Sequence, residues 1–193
     1  MVVNILKVRN LMLIGNDVVV EEVQPKFFNE IIKWRNNPIL NKYLNQPYKL
    51  TVKLQNKWYT SYLNDLTQGM FVVIDKKSGK PFATIGYTDY DPSKKVCVVG
   101  RLLVGESEYK GSNEWNEAIL LFNNYIYNHL NVDNVFAHIV DENVASIKWH
   151  KKWGYVENVE SVLFPHELEV NGMRQKEYCR SKAMYYKLLN KEV

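Results

Sequence analysis

The order of its segments most constrains how this chain can fold. Its first half reads as antiparallel hairpins. Extended pieces at Ile5–Ile14 and Val18–Val23 flank the turn Gly15-Asn16-Asp17, and Met70–Asp75 and Lys80–Tyr90 flank Lys77-Ser78-Gly79. Tyr90-Asp91-Pro92-Ser93 then turns the chain into Lys95–Val104. The second half alternates: a helix over Ser112–Leu130, a strand over Asn134–Ile139, a helix over Asn143–Lys152 and a strand near Tyr155–Leu163. A crossover helix brings the chain back parallel to the strand it left. The pattern therefore predicts an α+β fold: a mostly antiparallel sheet with one parallel pair, flanked by helices.

Two earlier helices complete the outline. Pro25 starts one that carries Phe27, Phe28, Ile31, Ile32 and Trp34, and Asn36-Asn37-Pro38 stops it. The other spans Leu50–Leu66 with Thr51 as N-cap. A last strand is expected over Glu177–Leu189, after the turn Asn171-Gly172. With 193 residues, 46% of them hydrophobic, and no linker or repeat, residues 1–193 read as a single domain with a full core. The net charge of +4 is spread along the chain, which suits a small anionic ligand and lacks the basic stripe of a nucleic-acid binder. Cys97 and Cys179 sit in apolar and aromatic runs and read as core thiols of a reducing cytoplasm. Lys7 and Arg9 interrupt the apolar start, so no signal peptide is read, and no apolar run reaches membrane-spanning length.

Two segments carry chemistry. In Gly100–Ala118 an apolar strand ends in a glycine-containing loop and a helix follows at once. The first N–H groups of a helix lack internal partners and sit at the positive end of its dipole, a place for phosphate oxygens. Gly111 permits close backbone approach and Lys110 adds charge, although such loops also serve as plain connectors. The second segment, Asn143–Tyr155, is a short amphipathic helix that closes at Gly154 and runs into an aromatic strand. His129 and His138 read as structural or solvent-facing, His166 as a loop residue, and at least one of Trp149 and Trp153 as core.

These segments resemble the GNAT superfamily of acyl-CoA-dependent N-acyltransferases, in particular its ribosomal-protein-acetyltransferase-like branch. Gly105, Glu108-Tyr109, Gly111 and Glu117-Ala118 match the first motif, with Asn113 in place of a second glycine. Asn143, Ser146, Ile147, His150, Lys151-Lys152, Gly154 and Tyr155 match the second without a gap. Asn in place of glycine is compatible with a left-handed turn. The resemblance implies that acetyl-CoA or another short-chain acyl-CoA lies against Leu102, Leu103 and Val104, the stretch Tyr109, Lys110, Gly111, Ser112, Asn113, Glu114 and Trp115, and Asn143 and Ser146. It implies no metal. At the His150 position the family commonly has a tyrosine that protonates the leaving thiolate. An imidazolium there would do the same, a neutral imidazole would only hydrogen-bond, and the remaining alternative is a histidine that packs at the helix end.

For the acceptor side, Trp34, Arg35 and Asn36 resemble GNAT enzymes that acylate an amino sugar on a nucleotide, and Tyr43, Tyr48, Trp58 and Tyr59 follow nearby. Aromatic faces suit a base or hexose and Arg35 suits a phosphate, with Trp34 and Tyr59 in the core and Arg35 paired to an acid as the competing reading. Tyr87, Asp89 and Tyr90 would line the other edge, with Asp89 as general base and Glu106 second. A backbone N–H near Leu103 would meet the oxyanion. The expected activity is transfer of an acetyl or short hydroxyacyl group to the primary amine of a UDP- or dTDP-linked amino sugar, by direct attack in a ternary complex. No nucleic acid or membrane partner is expected, and a homodimer is left open. A protein N-terminal or polyamine acetyltransferase is one alternative, and a non-catalytic CoA- or partner-binding module is another.

Overall fold

The computed structural model describes residues 10–159, 169–170 and 172–190. Nine strands occur among them: β1 (Met12–Ile14), β2 (Val18–Glu22), β3 (Gly69–Asp75), β4 (Pro81–Asp91), β5 (Val96–Val104), β6 (Asn134–Val140), β7 (Val156–Glu157), β8 (Glu169–Val170) and β9 (Met173–Ser181). The sheet runs β1-β2-β3-β4-β5-β6-β9-β7, with β8 paired to β9. Every pairing is antiparallel except β5 with β6, which is parallel, as the crossover pattern predicts.

Among the described residues six α-helices accompany the sheet: α1 (Phe28–Arg35), α2 (Pro38–Asn41), α3 (Val52–Asn64), α4 (Asn113–Asn124), α5 (Val144–Lys152) and α6 (Lys182–Leu189). Their starts are chemically marked. Thr51, Ser112, Asn143 and Ser181 each accept a backbone N–H at the first turn of α3, α4, α5 and α6. The alternation of β3 sorts the two sides of the sheet. Phe71 and Val73 join the core that also holds Trp115, Ile119 and Phe122 of α4, whereas Met70 and Val72 join Phe28 and Ile31 of α1 and Tyr62 of α3. None of the described helices is long and apolar enough to cross a membrane.

The feature that makes a site is a divergence. β5 pairs with β6 only at Val96↔Asn134, Cys97↔Val135 and Val98↔Phe136, yet it stays paired with β4 as far as Val104. Beyond Val98 the two parallel neighbours separate, and the β5 edge facing β6 has no strand partner among the described residues.

The C-terminal segment departs from expectation. The strand is Met173–Ser181, and Lys182–Leu189 is helical. Ser181 caps that helix by accepting from Met184 N at 3.1 Å, and Tyr185 turns inward onto Tyr127. The helix expected to reach Leu130 ends as α-helix at Asn124 and continues as a π-turn over Tyr125–His129. The short α2, capped by Asn37, was not expected. The expected strand start at Ile5, the stretch up to Leu163, Asn171 and His166 lie outside the described residues.

Candidate functional site

A β-bulge shapes β5. Thr84 faces Leu103 and Gly86 faces Gly100, so Arg101 and Leu102 together oppose the single residue Ile85. Arg101 takes φ +56°, the left-handed region, and the Thr84 hydroxyl donates to its carbonyl at 2.7 Å. The bulge sends the two neighbours into two different pockets.

Leu102 enters the first, a pocket of about 190 Å³ shared with Val104, Lys110, Gly111, Trp115, Ser146, Trp149 and His150. Residues from β5, the loop before α4, and α5 thus converge in the gap where β5 leaves β6. Gly111 has φ +75° and open space where a Cβ would stand, so its backbone is exposed to whatever enters. His150 is 4% exposed. Its Nδ1 lies 2.8 Å from the Ser146 carbonyl, so Nδ1 carries the proton and Nε2 presents a bare lone pair. That Nε2 is buried without a partner among the described residues. Burial pulls the imidazole pKa down from 6.5 to about 4, opposed by the Ser146 carbonyl and assisted by the Arg180 charge. The residue therefore stands neutral at pH 7, as an acceptor. Proton delivery by an imidazolium does not fit this setting.

A consequence for stability follows. Between pH 6.5 and about 4 the unfolded chain takes up a proton at residue 150 that the native chain refuses. Stability conferred by the neutral form is therefore full above pH 6.5 and falls as pH drops toward 4. At 1.36 kcal/mol per unit the loss is about 3 kcal/mol. Urea denaturation at pH 7, 6, 5 and 4 should show native protein losing more than His150→Gln by about that amount. Parallel pH profiles would refute it.

Arg101 enters the second pocket, about 230 Å³, lined also by Arg35, Tyr48, Leu50, Gln55 and Trp58. Its titratable lining is two guanidiniums and Tyr48, with no carboxylate. The side-chain hydrogen bonds of both guanidiniums go to neutral amides: Arg35 Nε to Gln46 Oε1 at 2.6 Å, and Arg101 Nη2 to Gln68 Oε1. Arg101 lies over the Trp58 ring, 5.3 Å from its centroid, and its Nη1 is buried with no partner among the described residues. Burial lowers both guanidinium pKa values, that of Arg101 to about 10.

Several expected site residues have other duties. Trp34 is 1% exposed, packed where Gly105 leaves room, and donates to Glu106 at 2.9 Å. Tyr87 is 2% exposed beneath Gly69. Neither residue lines either of these two pockets. Asn36 braces the chain at Leu50 through two hydrogen bonds, and Tyr43 donates to the Glu142 carbonyl just before α5. Asp89 is exposed, accepts the Thr88 hydroxyl at 2.6 Å and lines neither pocket, because a second bulge places it opposite the closed end of β5. Glu106 is held below the usual carboxylate range by Lys33 and Trp34, which makes it a weak base. Tyr109 stacks on Phe82 at 4.0 Å and donates to Asp75. Leu103 is buried away from the first pocket, Asn143 and Ser112 act as caps, and Asn113 and Glu114 open α4. Asn113 is helical and needs no left-handed turn, since Gly111 supplies it. Arg101 and Trp149 were missed. Trp149 had a signal, being next to His150, but Arg101 had none local to it.

The family described as acetyltransferase (GNAT) domain matches residues 17–156. No curated protein matches the chain. Among solved structures, the spermidine N-acetyltransferase of Vibrio cholerae in complex with CoA and spermine aligns with TM-score 0.74 at 17% identity, over 89% of this chain and 99% of its own. FdhC, a nucleotide-linked sugar GNAT, aligns with TM-score 0.74 at 19% identity, over 95% and 97%. A GCN5-related N-acetyltransferase from Brucella melitensis gives 0.76 at 19%, over 94% and 83%. At these identities the likeness speaks to the fold, and the family match spans most of the sheet and both pockets. The splayed β5–β6 pair, the loop leading into α4 and the ungapped α5 segment thus have one common explanation: the chain belongs to the GNAT acetyltransferase family and is an N-acetyltransferase.

Proposed function

We propose that the chain transfers an acetyl or short hydroxyacyl group from acyl-CoA to the primary amine of a nucleotide-linked amino sugar, with both substrates bound together. The first pocket fits the donor. Its walls Leu102, Val104, Trp115 and Trp149 are apolar, Lys110 and the bare backbone at Gly111 suit phosphates, and the orphan Nε2 of His150 suits an N–H of the pantetheine arm. Bound there, acyl-CoA would supply the acyl thioester. His150 would hold its arm by accepting a hydrogen bond, and the free β5 edge would offer further backbone groups.

The observation that carries the acceptor class is the charge of the second pocket. Two guanidiniums in a lining that contains no carboxylate, next to Trp58 and Tyr48, suit a phosphorylated ligand that also has a ring. They oppose a polyamine. At 4 Å and an effective dielectric of 20, one ammonium–guanidinium pair costs about 4 kcal/mol. The acceptor amine must be neutral to attack; Asp89 lines neither pocket and Glu106 is already bonded to Lys33 and Trp34, so neither is placed to take its proton in this arrangement.

The test is an acetyl-CoA assay of thiol release with UDP- and dTDP-amino sugars, spermidine and peptides. A sugar nucleotide should exceed spermidine in kcat/KM by at least ~100-fold, less than the full repulsion would give at about 1.4 kcal/mol per decade. Preference for spermidine, or turnover on peptides alone, would overturn the reading.

A further inference from the structure

We infer that Arg101 is the specificity-determining residue of the acceptor pocket: its unpartnered guanidinium N–H receives an anionic oxygen of the acceptor, a phosphate oxygen in the nucleotide-sugar case. The inference rests on the proposed acceptor class only for the identity of that anion.

Four independent observations meet at this residue. First, the backbone is strained toward the pocket. A non-glycine residue at φ +56° in mid-strand is uncommon, and the bulge that imposes it turns Arg101 one way and Leu102 the other. Second, the fold makes room for the side chain. Gly86 lies beneath it, and a Cβ there would meet Arg101 Cδ at 3.1 Å as well as the Gly69 carbonyl. Third, the hydrogen bond that holds the head group goes to a neutral amide, while the carboxylates of Asp65 and Asp89 act on it only through space. Gln68 accepts from Nη2 and is itself fixed by donating to Asp65, while Trp58 lies under the guanidinium plane. Fourth, Nη1 is buried and has no partner among the described residues, in a side chain that lines a cavity together with Arg35. A buried charged donor without a partner is costly, and the nearby second cation adds repulsion. A bound anion would relieve both at once.

This arrangement differs from a structural arginine. Arg180, which is 1% exposed where Arg101 is partly buried, is engaged through all three nitrogens by Tyr127, Asn123 and the Trp153 carbonyl. Arg101 keeps the Nη1 end of its guanidinium in reserve, on the strand whose next residue lines the first pocket. An anion on Arg101 would thereby tie the acceptor to the donor through one stretch of backbone.

The test uses variants that should not harm the backbone. Glycine and asparagine adopt positive φ more readily than arginine, so Arg101→Gly and Arg101→Asn should melt close to native or above it. UDP and inorganic pyrophosphate are titrated calorimetrically into protein saturated with CoA, so that the donor site is already filled. Both variants should bind UDP at least ~10-fold more weakly, the minimum expected for a lost hydrogen bond to a charged group. CoA affinity should be unchanged. In the acetylation assay, kcat/KM should fall for the phosphorylated acceptor but not for the free amino sugar. UDP and pyrophosphate binding unaltered by either variant would overturn the inference, as would a binding loss matched by an equal fall in melting temperature. If nucleotide sugars are acetylated equally well by native protein and variants, the inference fails while the acceptor reading stands. If no nucleotide sugar is acetylated yet pyrophosphate binding depends on Arg101, the anion site stands and the acceptor reading fails.

Discussion

Replacing Arg180 by methionine should lower the unfolding free energy by about 3 kcal/mol, from the stranding of hydrogen-bond partners. Arg180 is 1% exposed on β9 and makes no ion pair among the described residues. Its Nε donates to Tyr127 Oη at 3.0 Å, Nη1 to the Trp153 carbonyl at 2.8 Å and Nη2 to Asn123 Oδ1. Three rings surround the guanidinium carbon: Tyr155 at 4.5 Å, Tyr185 at 4.7 Å and Tyr127 at 5.4 Å. The cation thus joins α4, the π-turn, the end of α5 and α6 to the sheet, and at α5 it meets the negative end of a helix dipole. Exchanging a buried ion pair for apolar groups is often harmless, because both charges leave together. Here the groups left behind are a backbone carbonyl, an amide oxygen and a phenol, none of which leaves. Thermal unfolding should drop by roughly 6 to 12 °C at roughly 2 to 4 °C per kcal/mol for a chain of this size. Arg180→Lys, with one nitrogen in place of three, should fall between. A methionine variant that melts within about 2 °C of native would refute the account.

Legibility in the sequence followed how local the cause was. Helix starts were readable because a cap is a contact within three residues. Thr51 was placed correctly, and Asn143 opens α5 as a cap where the sequence put the helix start. Hairpins were readable from turn residues, and the parallel pair from the crossover. The helix α6 was misread as strand because Tyr185 and Tyr186 have β propensity, although Ser181 and the helix formers Ala183, Met184, Leu188 and Leu189 carried the opposite signal. The long helix was read to Leu130, where the chain loosens into a π-turn that no single residue announces.

The site was partly legible for the same reason. Leu102, Val104, Lys110, Gly111, Trp115, Ser146 and His150 lie in two continuous motifs, and they do meet in one pocket. The acceptor side depends on pairing between strands. Trp34 and Tyr87 looked like ligand platforms, but Gly105 and Gly69 vacate the space their rings fill, and this complementarity exists only across elements. Arg101 was invisible because its conformation comes from the β4–β5 register, with Gly86 and Thr84 as its distant supports. The protonation of His150 stayed open in the sequence because burial, which no spacing encodes, moves the intrinsic pKa.

The pairing of Gly105 with Trp34 yields the second large effect, for Gly105→Ala. Gly105 has an ordinary φ, so alanine costs nothing in backbone conformation, and the penalty is wholly steric. A Cβ there would stand 2.1 to 2.4 Å from Trp34 ring carbons, far inside contact distance. Neither side can yield easily. The Gly105 N–H is bonded to the Phe82 carbonyl at 2.8 Å, while Trp34 is buried and donates to Glu106, which also binds Lys33 at 2.8 Å. Overpacking of this severity should cost about 3 kcal/mol, the upper end of its usual range. The strand end would shift with it, and because Val104 lines the pocket proposed for the donor, KM for acetyl-CoA should rise as well. The discriminating measurement is a double-mutant cycle. Trp34→Leu alone should also destabilise by about 3 kcal/mol through the lost ring volume. In the Trp34→Leu background, however, Gly105→Ala fills vacated space. The combined loss should be smaller than the sum of the single losses by at least ~1.5 kcal/mol, as expected for residues in direct contact. Additive losses in urea denaturation would show that the two residues do not share that space, and the steric account of Gly105 would be wrong.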